Sequence, residues 1–201
     1  MARQLVDMVY AEFPEVEPVR IVFVPVGEPG SSSTIIARAI RDVRPRPRVI
    51  SMADVERLEP GTTSVIVFVD DFSGTGEQLA EWWANVEPLV RPKSTVVAVG
   101  LLVMNGRARE RIEEFAEHAL CIVELENGHN VIGQESGIFL DAEKTVLIDY
   151  CRRTGCPAKF RQGFGACGLL IAFRHGCPNN SLPILWYEGH RWRPLFRRSA
   201  L

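Results

Sequence analysis

No apolar run in this sequence approaches the roughly 20 residues that a membrane span needs. The opening MARQLVDMVYAEF carries acids where a signal peptide has its apolar core. Together the two absences predict a cytosolic protein. Histidine is scarce, and none of the four imidazoles falls beside an acid in a pattern that implies general-base work. His129 is expected in a polar loop, and His118 near a helix end, where the dipole favours it. The five cysteines include no C-x-x-C pair. An odd number fits reduced thiols better than a disulfide framework. The wide spacing of Cys151, Cys156, Cys167 and Cys177 around His175 speaks against a structural zinc and against a cysteine nucleophile, which leaves packing cysteines as the expectation.

What is present is apolar and unevenly charged. With 201 residues, 46% apolar and 24% charged, the chain has material for one globular domain, or one domain with a small appendage. Of the 23 basic residues, 14 lie in the first 150 positions, together with 24 of the 25 acids. After Tyr150 only Glu188 opposes nine arginines and lysines. An acidic body with a basic C-terminal quarter points to an anionic ligand or partner on that side. We read residues 1–155 as an α/β core and 156–201 as a basic, strand-containing extension of the same domain.

The most informative stretch is Val65 to Gly76, VIVFVDDFSGTG. Its continuous β-branched and aromatic run predicts a strand covered on both faces, as in a parallel sheet. Asp70 and Asp71 come at its carboxyl end, where open α/β sheets bind ligands. Ser73, Gly74, Thr75 and Gly76 then bring backbone N–H groups and two hydroxyls to a helix N-terminus, a setting that suits a phosphate. Two carboxylates would repel that phosphate, so they suit the hydroxyls of an attached sugar, or a metal. The combination fits a ribose 5-phosphate. Acids followed by a glycine-rich turn also make an ordinary capped strand-to-helix junction.

Hydrophobic strand, two acids, a hydrophobic residue and a Ser/Thr/Gly loop: the stretch resembles the PRPP-binding motif of the type I phosphoribosyltransferases. The resemblance implies that Asp70 and Asp71 hold the ribose 2- and 3-hydroxyls and that Ser73, Gly74, Thr75, Gly76 and Glu77 cradle the 5-phosphate. It also implies substrate-chelated Mg²⁺ as cofactor and PRPP or a nucleotide as ligand. An earlier small-residue loop, GEPGSSST, follows the strand expected over Val19 to Val26. By position it resembles the family's pyrophosphate loop, which would assign Gly27, Glu28, Gly30, Ser31 and Ser32 to that group. A plain helix start capped from Ser31 to Thr34 is the alternative.

The remaining elements alternate. Helices are expected over residues 2–12, 35–43, 77–85, 107–119 and 141–153, and strands over 48–52, 95–104 and 120–125, with proline and glycine at the joints. Trp82 and Trp83 share a helical face with Leu79 and Val86 and read as core. Strand and helix in turn, with short links, predict a doubly wound, mainly parallel α/β sheet of phosphoribosyltransferase-like architecture. Catalytic members of that family place a long basic lid before the PRPP strand. Residues 53–63 offer only Arg57 among Asp54, Glu56 and Glu59. A lid excludes water and offsets leaving-group charge, so its absence puts ordinary transferase activity in doubt.

Toward the end, Gly168 to Phe173 and Leu182 to Trp186 read as strands joined by HGCPNNS, with Asn179 and Asn180 as turn residues. The stretch GFGACGLLIAF…PNNSLPILW resembles the C-terminal region of a bacterial subgroup of phosphoribosyltransferase-like proteins associated with conflict and anti-phage systems, including retron cassettes. That resemblance implies a defence complex or homo-oligomer, and gives the two asparagines amide contacts to a base or partner. Arg191, Arg193, Arg197 and Arg198 alternate with Trp192 and Phe196, a mixture suited to nucleic acid or an acidic protein partner, or to a strand packing its aromatics on the core.

Overall fold

Five strands form one sheet in the computed structural model, which describes residues 1–28, 30–94, 96–189 and 192–196. They are β1 (Ile21–Pro25), β2 (Arg48–Val49), β3 (Val65–Ser73), β4 (Val96–Asn105) and β5 (His118–Leu125), in the order β2-β1-β3-β4-β5. The β2–β1, β1–β3 and β3–β4 pairings are parallel. Ile21 to Val24 and Val65 to Val69 are fully buried, which is why these strands read as unbroken apolar runs.

Helices cover both faces of this sheet. On one face Val22, Val24, Ile66, Phe68, Val97, Val99 and Leu101 pack with Val55 of α3 (Met52–Glu56). They also meet Leu79, Trp83, Val86 and Val90 of α4 (Glu77–Val90), and Ala108 and Ile112 of α5 (Gly106–Glu113). On the other face lie α1 (Ala2–Glu12) and α2 (Ser32–Arg41). Leu5 of α1 comes so close that a Cβ at Gly100 would lie 3.3 Å from both Leu5 Cδ1 and Val67 Cγ1. The architecture is the expected doubly wound α/β one. Trp82 and Trp83 meet Phe68 edge-on, with centroids 4.8 and 5.9 Å away, as core residues do.

Several boundaries differ from the sequence reading. The chain leaves α5 at Glu113 instead of running on to Ala119, because Glu117 is held in the sheet: its N–H donates to Val97 O and its carboxylate accepts from Val97 N and Arg91. His118 is therefore the first residue of β5, with Nδ1 2.7 Å from Glu12 Oε1, and not a helix-end residue. Helix α4 passes through Pro88 to Val90, since the buried Val86 and Val90 continue its inward face beyond Asn85. The strand expected over 48–52 is two residues long, because Ser51 caps α3 by accepting from Asp54 N.

The described residues divide into two compact units, 1–124 and Leu125 onward. The second contains α6 (Asp141–Arg153), as expected, and its start is closed by Glu143, which accepts from Leu140 N. The strands expected over 168–173 and 182–186 are absent: Leu169–Ser181 and Phe173–Gly176 are isolated bridges, and Pro183–Trp186 is a helical turn, α7. Proline at its first position needs no N–H partner, and the Trp186 indole donates to Ser181 O at 2.9 Å. Asn180 holds turns together, donating to Phe164 O at 3.1 Å. The thiols are used in packing, with Cys177 Sγ against Ile171 O and Cys156 Sγ against Cys151 O. No helix among the described residues is long and apolar enough to cross a membrane.

Candidate functional site

The strand order reverses between β1 and β3, since the chain steps outward from β1 to β2 and then returns to the opposite side for β3. At such a switch point the loops leaving two neighbouring strands diverge and open a crevice at their carboxyl ends. Pro25 pairs with Val69, and Val26 N donates to Val69 O at 3.2 Å. Residues 26–28 and the acids of β3 therefore leave the sheet side by side.

Asp70 continues the face of Phe68, while Asp71 continues that of Val67 and Val69, as strand alternation requires. Ser32, in the first turn of α2, reaches both. Its Oγ donates to Asp70 Oδ1 at 3.2 Å and to Asp71 Oδ1 at 3.0 Å, and Asp71 N donates to Asp70 Oδ1 at 2.9 Å. Burial, and then the neighbouring Asp71 charge, push the Asp70 carboxyl up to about 8. While it keeps its proton, Asp70 can donate as well as accept toward hydroxyl groups.

Past the acids, Ser73 is buried and Gly74, Thr75 and Gly76 turn the chain into α4. Gly76 has φ +77°, and a Cβ there would lie 2.7 Å from Arg111 Cβ, so both its backbone and its packing exclude a side chain. The N–H groups of Gly74, Thr75 and Gly76 donate to no described residue, and Glu77 N reaches Thr75 Oγ1 only at 3.5 Å. These donors and the positive end of the α4 dipole are a combination that can hold an anion. The Glu77 side chain is exposed.

The first loop is built differently. Gly27 and Gly30 have φ +79° and +98°. The Ser31 and Ser33 hydroxyls turn inward to Val26 O, and Ser31 makes no side-chain cap on α2. Thr34 instead accepts from Gly30 N at 3.2 Å. Glu28 is exposed, and its carbonyl accepts from Ser31 N. The serine-rich sequence does not distinguish Ser32 from its neighbours, and only the fold shows it bridging the acids. The contact of Arg111 with Gly76 likewise has no signal in the sequence, being an encounter between two helices.

Arg191, Arg197 and Arg198 lie outside the described residues. Arg193 is exposed. Trp192 donates its indole N–H to Ile184 O at 3.2 Å and its ring lies 6.1 Å from that of Tyr150, whereas the Phe196 ring stays 45% exposed.

The PRTase-CE family model matches residues 3–198. Among solved structures, the AQ2163 protein of Aquifex aeolicus is 15% identical at TM-score 0.39, covering 55% of this chain and 57% of its own. Orotate phosphoribosyltransferase of Aeropyrum pernix is 20% identical at TM-score 0.41, covering 62% and 70%. The orotate phosphoribosyltransferase of Mycobacterium tuberculosis H37Rv in complex with PRPP is 19% identical at 0.39, covering 62% and 73%. The chain thus spans little more than half of the first of these proteins. Likenesses at this level carry no functional argument. No curated protein matches the chain.

Proposed function

The chain belongs to the PRTase-CE family, and from that premise we propose that it binds PRPP or a related ribose 5-phosphate compound at the carboxyl ends of β1 and β3. The observation that carries this reading is the register of two unlike subsites. A pair of carboxyls joined through Ser32 stands a few residues from the N–H groups at the start of α4. Asp70 and Asp71 would orient the ribose hydroxyls, residues 73–77 would anchor the 5-phosphate, and residues 27–32 would face a pyrophosphate. Two adjacent carboxylates suit Mg²⁺, which keeps much of its water and shares a ligand's phosphates. The ion would arrive chelated by the ligand and offset its charge.

Reaction at this site would be displacement at the ribose anomeric carbon, by a base or by water, through an oxocarbenium-like transition state. The protein's part would be to position the sugar. One observation favours a second reading, a non-catalytic nucleotide-sensing or assembly subunit. The segment where a lid would lie is tied down: Val55 and Leu58 are buried, Arg20 donates to Gly61 O at 2.9 Å, and Lys93 donates to Leu58 O at 2.7 Å. The setting we propose is a cytoplasmic bacterial defence module of the retron or anti-phage kind, supported by the resemblance of the C-terminal stretch. A reverse transcriptase gene beside this one is the observation that would bear it out.

Titration calorimetry tests the binding. The full chain is expected to bind Mg²⁺·PRPP or ribose 5-phosphate, and Asp71→Asn to weaken it roughly tenfold to a hundredfold, as loss of a charge-assisted hydrogen bond does. Absence of binding by the unaltered chain would refute the reading.

A further inference from the structure

Three exposed basic residues of the last quarter share one depression of the surface. Within the second unit, Arg152 of α6, Lys159 of the turn Ala158–Phe160 and Arg161 beside it line one open depression of about 380 Å³. Gln162 adds an amide, Ile148 and Ala158 add apolar wall, and no carboxylate lines it. The neighbouring Arg153 is spoken for, with Nη2 2.6 Å from Asp149 Oδ2 and its guanidinium over the Tyr150 ring. Arg152, Lys159 and Arg161 have no ion-pair partner among the described residues. Lys159 is steadied instead by the Phe160 ring, 5.0 Å from its Nζ.

Three cations that line one depression, with no carboxylate in its lining, repel one another, and that repulsion is relieved by an anion shared between them. The wall behind them is firm. A Cβ at Gly163 would overlap the Asn180 carbonyl, and Phe164 N donates to Asn179 O at 2.8 Å, so the turn that carries Arg161 and Gln162 is braced against the Asn179–Asn180 turn. Two arginines supply forked donors that fit phosphate oxygens, and the lysine adds a point charge. A volume of about 380 Å³ falls at the small end of ligand pockets, the size of a sugar phosphate or mononucleotide and not of an extended polymer.

We propose that this depression is a second ligand site, specific for a small phosphate monoester and independent of the acids of β3. The hydrophobic wall would take the sugar or base, and the three cations the phosphate. This gives the basic quarter of the chain an anionic small molecule as partner, in place of nucleic acid.

The test is an amide NMR titration of the ¹⁵N-labelled full chain, with AMP, inorganic phosphate and a ten-residue oligodeoxythymidylate as separate probes. AMP and phosphate are expected to shift the amides of residues 158–166 saturably. AMP should be the tighter of the two, and binding should weaken as salt rises. Arg152→Gln and Arg161→Gln should each weaken AMP at these amides about tenfold or more, while shifts at residues 74–77 persist. Both arginines are exposed, so the variants should melt like the parent. Shifts at 158–166 that never saturate, or that survive both substitutions, would overturn the proposal. So would an oligonucleotide that shifts these amides when AMP and phosphate do not.

Discussion

A carboxyl beside a second carboxyl and partly shielded from water holds its proton to a higher pH than usual, and Asp70 is in that position. Its folded pKa stands above the unfolded one, near 8 against 3.8. Between those two values the native state binds a proton that the unfolded state has lost, so stability falls as pH rises through this window and the cost is complete above about 8. Asp70→Asn removes the charge and the cost. It should raise stability at pH 9 and by far less at pH 4, read from urea midpoints at the two pH values. A difference independent of pH would show that Asp70 ionises normally. Gly76 is constrained in another way, by φ +77° and by Arg111. Gly76→Ala should cost about 1–3 kcal/mol in the same assay. Gly128→Ala, where an added Cβ meets nothing within 4 Å, is the near-neutral control.

At the scale of elements, whatever is coded by burial on both faces of a strand was legible. VIVFV and its partner VRIVFVPV announce β3 and β1 because parallel neighbours and helices leave no face for water. Trp83 was legible as core because helical spacing puts it beside Leu79 and Val86. The position of the acids at the end of β3 was legible too. The bridging role of Ser32 was not, because Ser31, Ser32 and Ser33 differ only in where the start of α2 aims them. The end of α5 was hidden for a similar reason, since Glu117 is fixed by Val97 and Arg91, both distant in sequence. In the second unit apolar runs such as GLLIAF form no ladder; side-chain hydrogen bonds from Asn180, Ser181 and Trp186 to the backbone order them, and no periodicity encodes those. The tethered segment between β2 and β3 carries its own prediction. Steady-state transfer of the phosphoribosyl group to free purines or pyrimidines should be absent or very slow by pyrophosphate release, and robust turnover with a common base would refute it.

The whole molecule separates two chemistries along one chain. Residues 1–124 hold an acid pair and a run of N–H groups in one α/β sheet, while the second unit gathers cations with few acids near them. The central claim concerns the first. Its most direct test is amide hydrogen exchange of the full chain with and without saturating Mg²⁺·PRPP. Because Gly74, Thr75 and Gly76 donate to no described residue, their amides should slow at least about tenfold when ligand binds. Residues 27–32 should be protected in parallel, and Asp71→Asn should need more ligand for the same effect. Unchanged exchange at residues 74–76 with ligand bound, or protection confined to other parts of the chain, would contradict the account.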